Sequence, residues 1–209
     1  MDSPALGVYV AASLALIATP GQDMMYVISR SLAQGRAAGL ASAAGVCLGI
    51  LVHTALAALG VGALLRASPA LFLALRLGGA AYLAWLGLRM LLAPPREGLA
   101  GRSPAHATLP SLVRQGMLSN VTNPKIILFF VAFLPQFVDP ASAHPTRDLA
   151  FLGALYAAMA LPVKSAVGLA AGALSERLRR TPAALAWMHR ASGAILVALG
   201  ARIAAAGRT

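Results

Sequence analysis

Apolar residues fill six long stretches of the chain, at about 5–29, 39–65, 70–92, 111–138, 149–174 and 183–206, with short polar or basic connections between them. Each is long enough for a helix to cross a bilayer, which needs roughly 20 residues. Two of the six are interrupted. Thr19-Pro20-Gly21-Gln22-Asp23 sets a proline, a glycine and a carboxylate inside the first, and Asn123-Pro124-Lys125 breaks the fourth, with Pro124 standing 104 positions after Pro20.

The breaks have predictable local structure. Pro20 removes a backbone donor and clashes with the preceding turn, so the first helix is expected to end near Ala18. Thr19 then caps a second helix, Pro20 sits in its first turn, and Gln22, three residues after Thr19, completes a capping box. At the second break Asn123 caps and Pro124 takes the first helical position. Each interrupted span becomes two half-helices meeting near mid-membrane, where broken backbone is tolerated only if protein or a watery cavity satisfies it. The free amides that begin a half-helix carry partial positive charge and seat an anionic group. Paired breaks in two halves of a chain point to the binding site of a secondary transporter.

The expected fold is therefore an all-α integral membrane protein of six transmembrane helices. Residues 1–92 form a first three-helix repeat, 93–110 a proline-rich linker and 111–209 a second three-helix repeat, with helices one and four broken. An odd number of spans per half makes the repeats inverted. The halves share little residue identity, so the repeat rests on break position and span count.

Composition agrees. The chain is 59% hydrophobic and 11% charged, with a mean hydropathy of +0.76; soluble domains carry about 25% charged residues. The net charge of +11 comes from arginines placed between apolar runs, as cytoplasmic loops place them. The first–second, third–fourth and fifth–sixth connections, with their flanks, hold Arg30, Arg36, Arg89, Arg96, Arg102, Arg114, Arg177, Arg179, Arg180 and Arg190. Arg66, Arg147, Arg202 and Arg208 lie opposite, with Arg76 the marginal fifth. Both termini are thus expected outside the cytoplasm. No basic, aromatic-bearing soluble domain is present to bind nucleic acid. The lone Cys47 excludes an internal disulfide, a multi-cysteine metal site and a thiol–disulfide electron carrier. His53, His106, His144 and His189 show no metal spacing, and no cofactor is expected. His189 and Ser192 lie within one helical turn and lack a Gly-x-Ser-Gly context, so no catalytic set is assigned. The absence of Lys or Arg ahead of the first apolar run argues against a cleavable signal peptide.

Candidate site residues cluster at the breaks. Asp23 either binds a substrate ammonium group or carries a coupling proton, or it only complements the dipole of the half-helix it begins. Lys125 opens the other half-helix, where a cation needs a partner: Asp23, a substrate carboxylate, or each in turn. Lys164, beside Pro162 in span five, lines a cavity or snorkels. His53, in a span without acidic or basic residues, packs against a neighbouring helix or relays protons. Gln22, Asn120, Thr122 and Asn123 satisfy loose backbone or line the site. The pairs Gly45/Gly49 and Gly168/Gly172 serve packing within one chain or a homodimer.

Together these blocks resemble a known family. Thr19-Pro20-Gly21-Gln22-Asp23 followed by 30–39 (RSLAQGRAAG), then 79–87 (GAAYLAWLG), then Asn123-Pro124-Lys125 with Phe129-Phe130 and 133–137 (FLPQF), are similar to the conserved blocks of the LysE/RhtB family of amino-acid exporters. The resemblance covers nearly the full chain, in order. It implies a multi-pass protein of the bacterial inner membrane that exports amino acids or close derivatives, driven by the proton gradient. Substrate-binding residues would be Thr19, Pro20, Gly21, Gln22, Asp23, Asn123, Pro124 and Lys125, with Asp23, Lys164 and His53 the proton-coupling candidates. Many members have Pro-Asn after Thr-Pro-Gly where this chain has Gln22-Asp23, which leaves the substrate open. A non-transporting membrane scaffold or assembly protein is the alternative.

Overall fold

The computed structural model describes residues 3–19, 21–61, 69–92, 106–139, 142–179 and 182–205. Among them every regular element is helical. Helix α1 is Ser3–Ala18, α2 Gln22–Gln34 and α3 Arg36–Leu56, which widens into a π turn at Ala57–Val61. Helix α4 is Pro69–Leu92 and α5 Leu109–Val121. Helix α6, Pro124–Leu128, runs on through a π turn at Phe129–Phe133 and a tight turn at Leu134–Phe137. Helix α7 is Pro145–Arg179 and α8 Pro182–Ala205. Pro20, the turn at 66–68, the linker through residue 105, Arg180, Arg208 and the side chains of Arg76, His189 and Ser192 lie outside what is described.

Two of these helices are long and apolar enough to cross a membrane, Arg36–Gly60 and Pro145–Ala171, and the pair Leu109–Val121 and Pro124–Phe137, bent by 53°, makes a third if counted as one span. The expected end of the first helix near Ala18 is where α1 stops.

Two connections differ from expectation. Arg30 and Arg36 do not occupy a short loop. Arg30 belongs to α2, and only Gly35 separates α2 from α3. Its φ of 86° lies where only glycine is unstrained, so one residue makes the turn. The basic loop expected after span five is helix as far as Arg179, because α7 continues through Pro162 without ending.

Close approach of backbones at glycines organises the packing, as it does where lipid offers no hydrophobic contrast between helix faces. A Cβ on Gly45 would strike the Val113 carbonyl, and one on Gly49 would fall 2.6 Å from the Asn120 Cβ, so α3 and α5 run side by side in the same direction. Gly39 meets Gly168 and Thr54 meets Gly153, which makes α3 and α7 antiparallel. Gly87 meets Gly193 and Gly200 meets Ala80, which does the same for α4 and α8. The glycines Gly45, Gly49 and Gly168 are thereby used within one chain.

The core lies where α1, α6 and α7 converge. Phe129 packs on Tyr156 at 4.7 Å between ring centroids and on Phe133 at 5.1 Å. Tyr9, fully buried, meets Phe137 at 5.2 Å and donates its hydroxyl to the Leu152 carbonyl at 2.7 Å.

Candidate functional site

The second break is built from its own residues. Asn123 stays extended at the start of α6, its side-chain oxygen accepts from the Lys125 amide at 3.1 Å, and Pro124 fills the first turn. This is the predicted cap.

The first break is built differently, and the predicted capping box is absent. Helix α2 is preceded by Gly21, which has no side chain to cap it. The Thr19 hydroxyl turns back to the Ala15 carbonyl one turn earlier, at 2.7 Å, satisfying the end of α1 instead. Gln22 reaches across to α5, donating to the Ser119 carbonyl at 3.2 Å. A capping box needs both side chains on local amides, and here both have gone elsewhere.

What holds the first break comes from the other half of the chain. The Lys125 ammonium group donates to the carbonyls of Leu16 and Thr19, each at 3.2 Å. Lys164 reaches the Ile17 carbonyl at 3.5 Å. These are carbonyls at the C-terminal end of α1, which lack helical partners and carry partial negative charge. Gly21 leaves room for the Lys125 head, since a Cβ there would lie 3.1 Å from its nitrogen. Lys125 and Lys164 are the chain's only lysines, and both are buried.

Asp23 occupies the first turn of α2 and is 3% exposed. One carboxylate oxygen accepts from the Asn120 side chain at 2.7 Å; the other has no donor. Asp23 and Lys125 are not ion-paired: each has taken a different partner. The Asp23 charge nonetheless interacts with Lys125, Lys164 and His53 over longer distance. His53 stacks on Phe130 with ring centroids 5.7 Å apart, and its Nε2 lies 3.2 Å from the Asn120 carbonyl. An ion in such a place costs several kcal/mol unless held by polar groups, and one carboxylate and two lysine side chains are buried here.

The four uncharged polar residues left open by the sequence now separate. Thr122 back-bonds to the Leu118 carbonyl at 2.9 Å and satisfies only backbone. Asn123 caps, Gln22 braces α2 against α5, and Asn120 touches Asp23. Asn120 also accepts the Asn123 amide at 2.9 Å on its carbonyl. Only its polarity at break depth marked it beforehand. A separate groove of about 320 Å³ lies at the far end of α2, lined in part by Gln34, Ala38, His106 and Leu112, and none of its lining belongs to the breaks.

Comparison with known proteins identifies the family. Residues 14–207 match the family described as LysE type translocator. The chain is 34% identical to an uncharacterized membrane protein of Pseudomonas aeruginosa, over 97% of this chain and 98% of that one. It is 36% identical to a leucine efflux protein of Klebsiella pneumoniae over 66% of this chain and 65% of the relative. A leucine efflux protein of Enterobacter sp. is 28% identical over 94% and 93% of the two chains. No solved structure matches.

Proposed function

The chain belongs to the LysE type translocator family, and from that premise we propose that it is a secondary exporter of an amino acid or close derivative across the bacterial inner membrane, working by proton antiport. The leucine efflux relatives make leucine the first substrate to try.

The carrying observation is Asp23, a buried carboxylate at a helix break with one oxygen unpartnered, and two buried lysines hold the end of the helix that precedes the break. The site lies between the breaks, on Thr19, Pro20, Gly21, Gln22, Asp23, Asn123, Pro124 and Lys125. A zwitterionic head group is complementary to it. The ammonium group goes to Asp23, and the carboxylate goes to the open amides at the start of α2 and to a lysine. Proton and ammonium group compete for the same carboxylate, which is the minimum needed for exchange.

Helix directions support six spans in two inverted halves. Such a fold requires spans two and four to run alike, and spans two and five, and three and six, to run oppositely. The glycine contacts give α3 with α5, α3 against α7 and α4 against α8 those directions. Arg30 donates to Gln115 at 2.6 Å, and the Ala107 amide donates to Gln34 at 2.9 Å, which draws the arginine-bearing ends of α2 and α5 to one face. On this reading that face is cytoplasmic and both termini lie opposite.

The test is efflux from liposomes loaded with labelled amino acids under an imposed pH gradient, with Asp23→Asn alongside. Gradient-driven efflux of one amino acid, lost in the variant, is the expected result. Efflux in neither protein would remove the exporter reading; equal efflux in both would remove Asp23 from the coupling.

A further inference from the structure

Asn120 is fully buried and lies at the meeting point of three elements. Its side chain touches Asp23 on α2, and its carbonyl receives both the Asn123 amide that enters the second break and the His53 ring from α3. Gly49 makes room for it: a Cβ there would fall 2.6 Å from the Asn120 Cβ and 2.8 Å from its side-chain oxygen. The amide orientation is dictated by chemistry. An ionised carboxylate only accepts, so the Asn120 group facing Asp23 is the NH2 and its oxygen points away, toward Gly49. Asp23 Oδ2 thereby has a fixed partner, and Oδ1 is the oxygen left without one.

We infer that Asn120 is a positioning residue for substrate recognition: by holding Asp23 Oδ2, it aims Oδ1 at the ammonium group of the transported amino acid. Without Asn120 both oxygens lack a fixed partner, and the carboxylate turns freely or is drawn to the lysines. The residue therefore acts on which head group is recognised, through Asp23, and touches no substrate itself. The titratable groups near enough to couple with Asp23 are Lys125 from α6, Lys164 and Tyr156 from α7, and His53 and Cys47 from α3.

This inference rests on the exporter reading, and the experiment separates the two. Export of leucine and of its 2-hydroxy acid counterpart, which lacks the ammonium group, is measured in liposomes for the wild type, Asn120→Ala, Asp23→Asn and the double variant. The wild type is expected to prefer the amino acid. Asn120→Ala should lower that preference roughly tenfold, the size expected for losing a charge-assisted contact. The double variant should fall no further than Asp23→Asn alone, since the two residues act as one unit. Asn120→Val, larger than alanine and without a donor, is made in parallel and should give the same loss. A rate reduced equally for both compounds, or losses that multiply in the double variant, would show a packing role and overturn the inference. Failure of both substitutions to assemble would assign Asn120 to folding and overturn it too. A wild type that moves leucine but shows no preference overturns the inference alone. One that moves neither compound overturns the exporter reading and the inference with it.

Discussion

The two helix breaks sit at comparable places in the chain and are held in opposite ways. The second caps itself: Asn123 bonds to an amide two residues on, and Pro124 fixes the turn. The first has no cap of its own, and residues more than ninety positions away supply its partners. Asn120 and Ser119 hold α2, while Lys125 and Lys164 hold the end of α1. A self-capped break keeps its shape whatever its surroundings do. A break held by borrowed groups changes shape when those groups change partners. The difference makes the second break locally self-sufficient and the first dependent on the other half of the chain.

The contrast can be broken or sharpened by substitution. Asp23→Asn should have the largest effect, removing the charge that the first break offers to a substrate. Gradient-driven export should fall by more than about tenfold, the loss expected for a charge-assisted contact, with folding retained. Lys125→Met comes next. It takes an ammonium group from two carbonyls and should lower stability by about 2–3 kcal/mol in thermal melting. Lys164→Met removes one long bond and should cost about half as much; equal losses would mean that the two lysines hold α1 alike. Asn123→Ala deletes an ordinary cap and should cost about 1 kcal/mol. Thr19→Val should cost the least, under about 0.5 kcal/mol, because its hydroxyl only back-bonds within α1. A cost at Thr19 as large as at Asn123 would restore the predicted cap.

The sequence made the breaks visible because proline and a capping side chain act within a few residues. Asn123-Pro124 is the clearest case, where local geometry and final structure coincide. Thr19 carried an equally good local signal, but a carbonyl one turn earlier competed for its hydroxyl and won. The partners of Asp23, Lys125 and Lys164 were hidden for another reason. They are set by how α5, α6 and α7 pack on α1 and α2, through glycine contacts that no short window contains. Gly35 shows the same limit on a small scale. A stretch with two arginines reads as a loop, yet one residue with positive φ makes the connection.

The antiparallel contact of α4 with α8 bears on how the protein is made. Gly87 and Ala80 are synthesised before their partners Gly193 and Gly200, which belong to a helix made after α5, α6 and α7. Until α8 is made, Ala80 and Gly87 lack those partners, although Gly79 already has Ala132 and Leu128 to pack against. Packing of α4 is therefore completed only once α8 has been made, and a nascent chain that stops short of α8 carries an unfilled groove. Cellular quality control would have that groove to recognise.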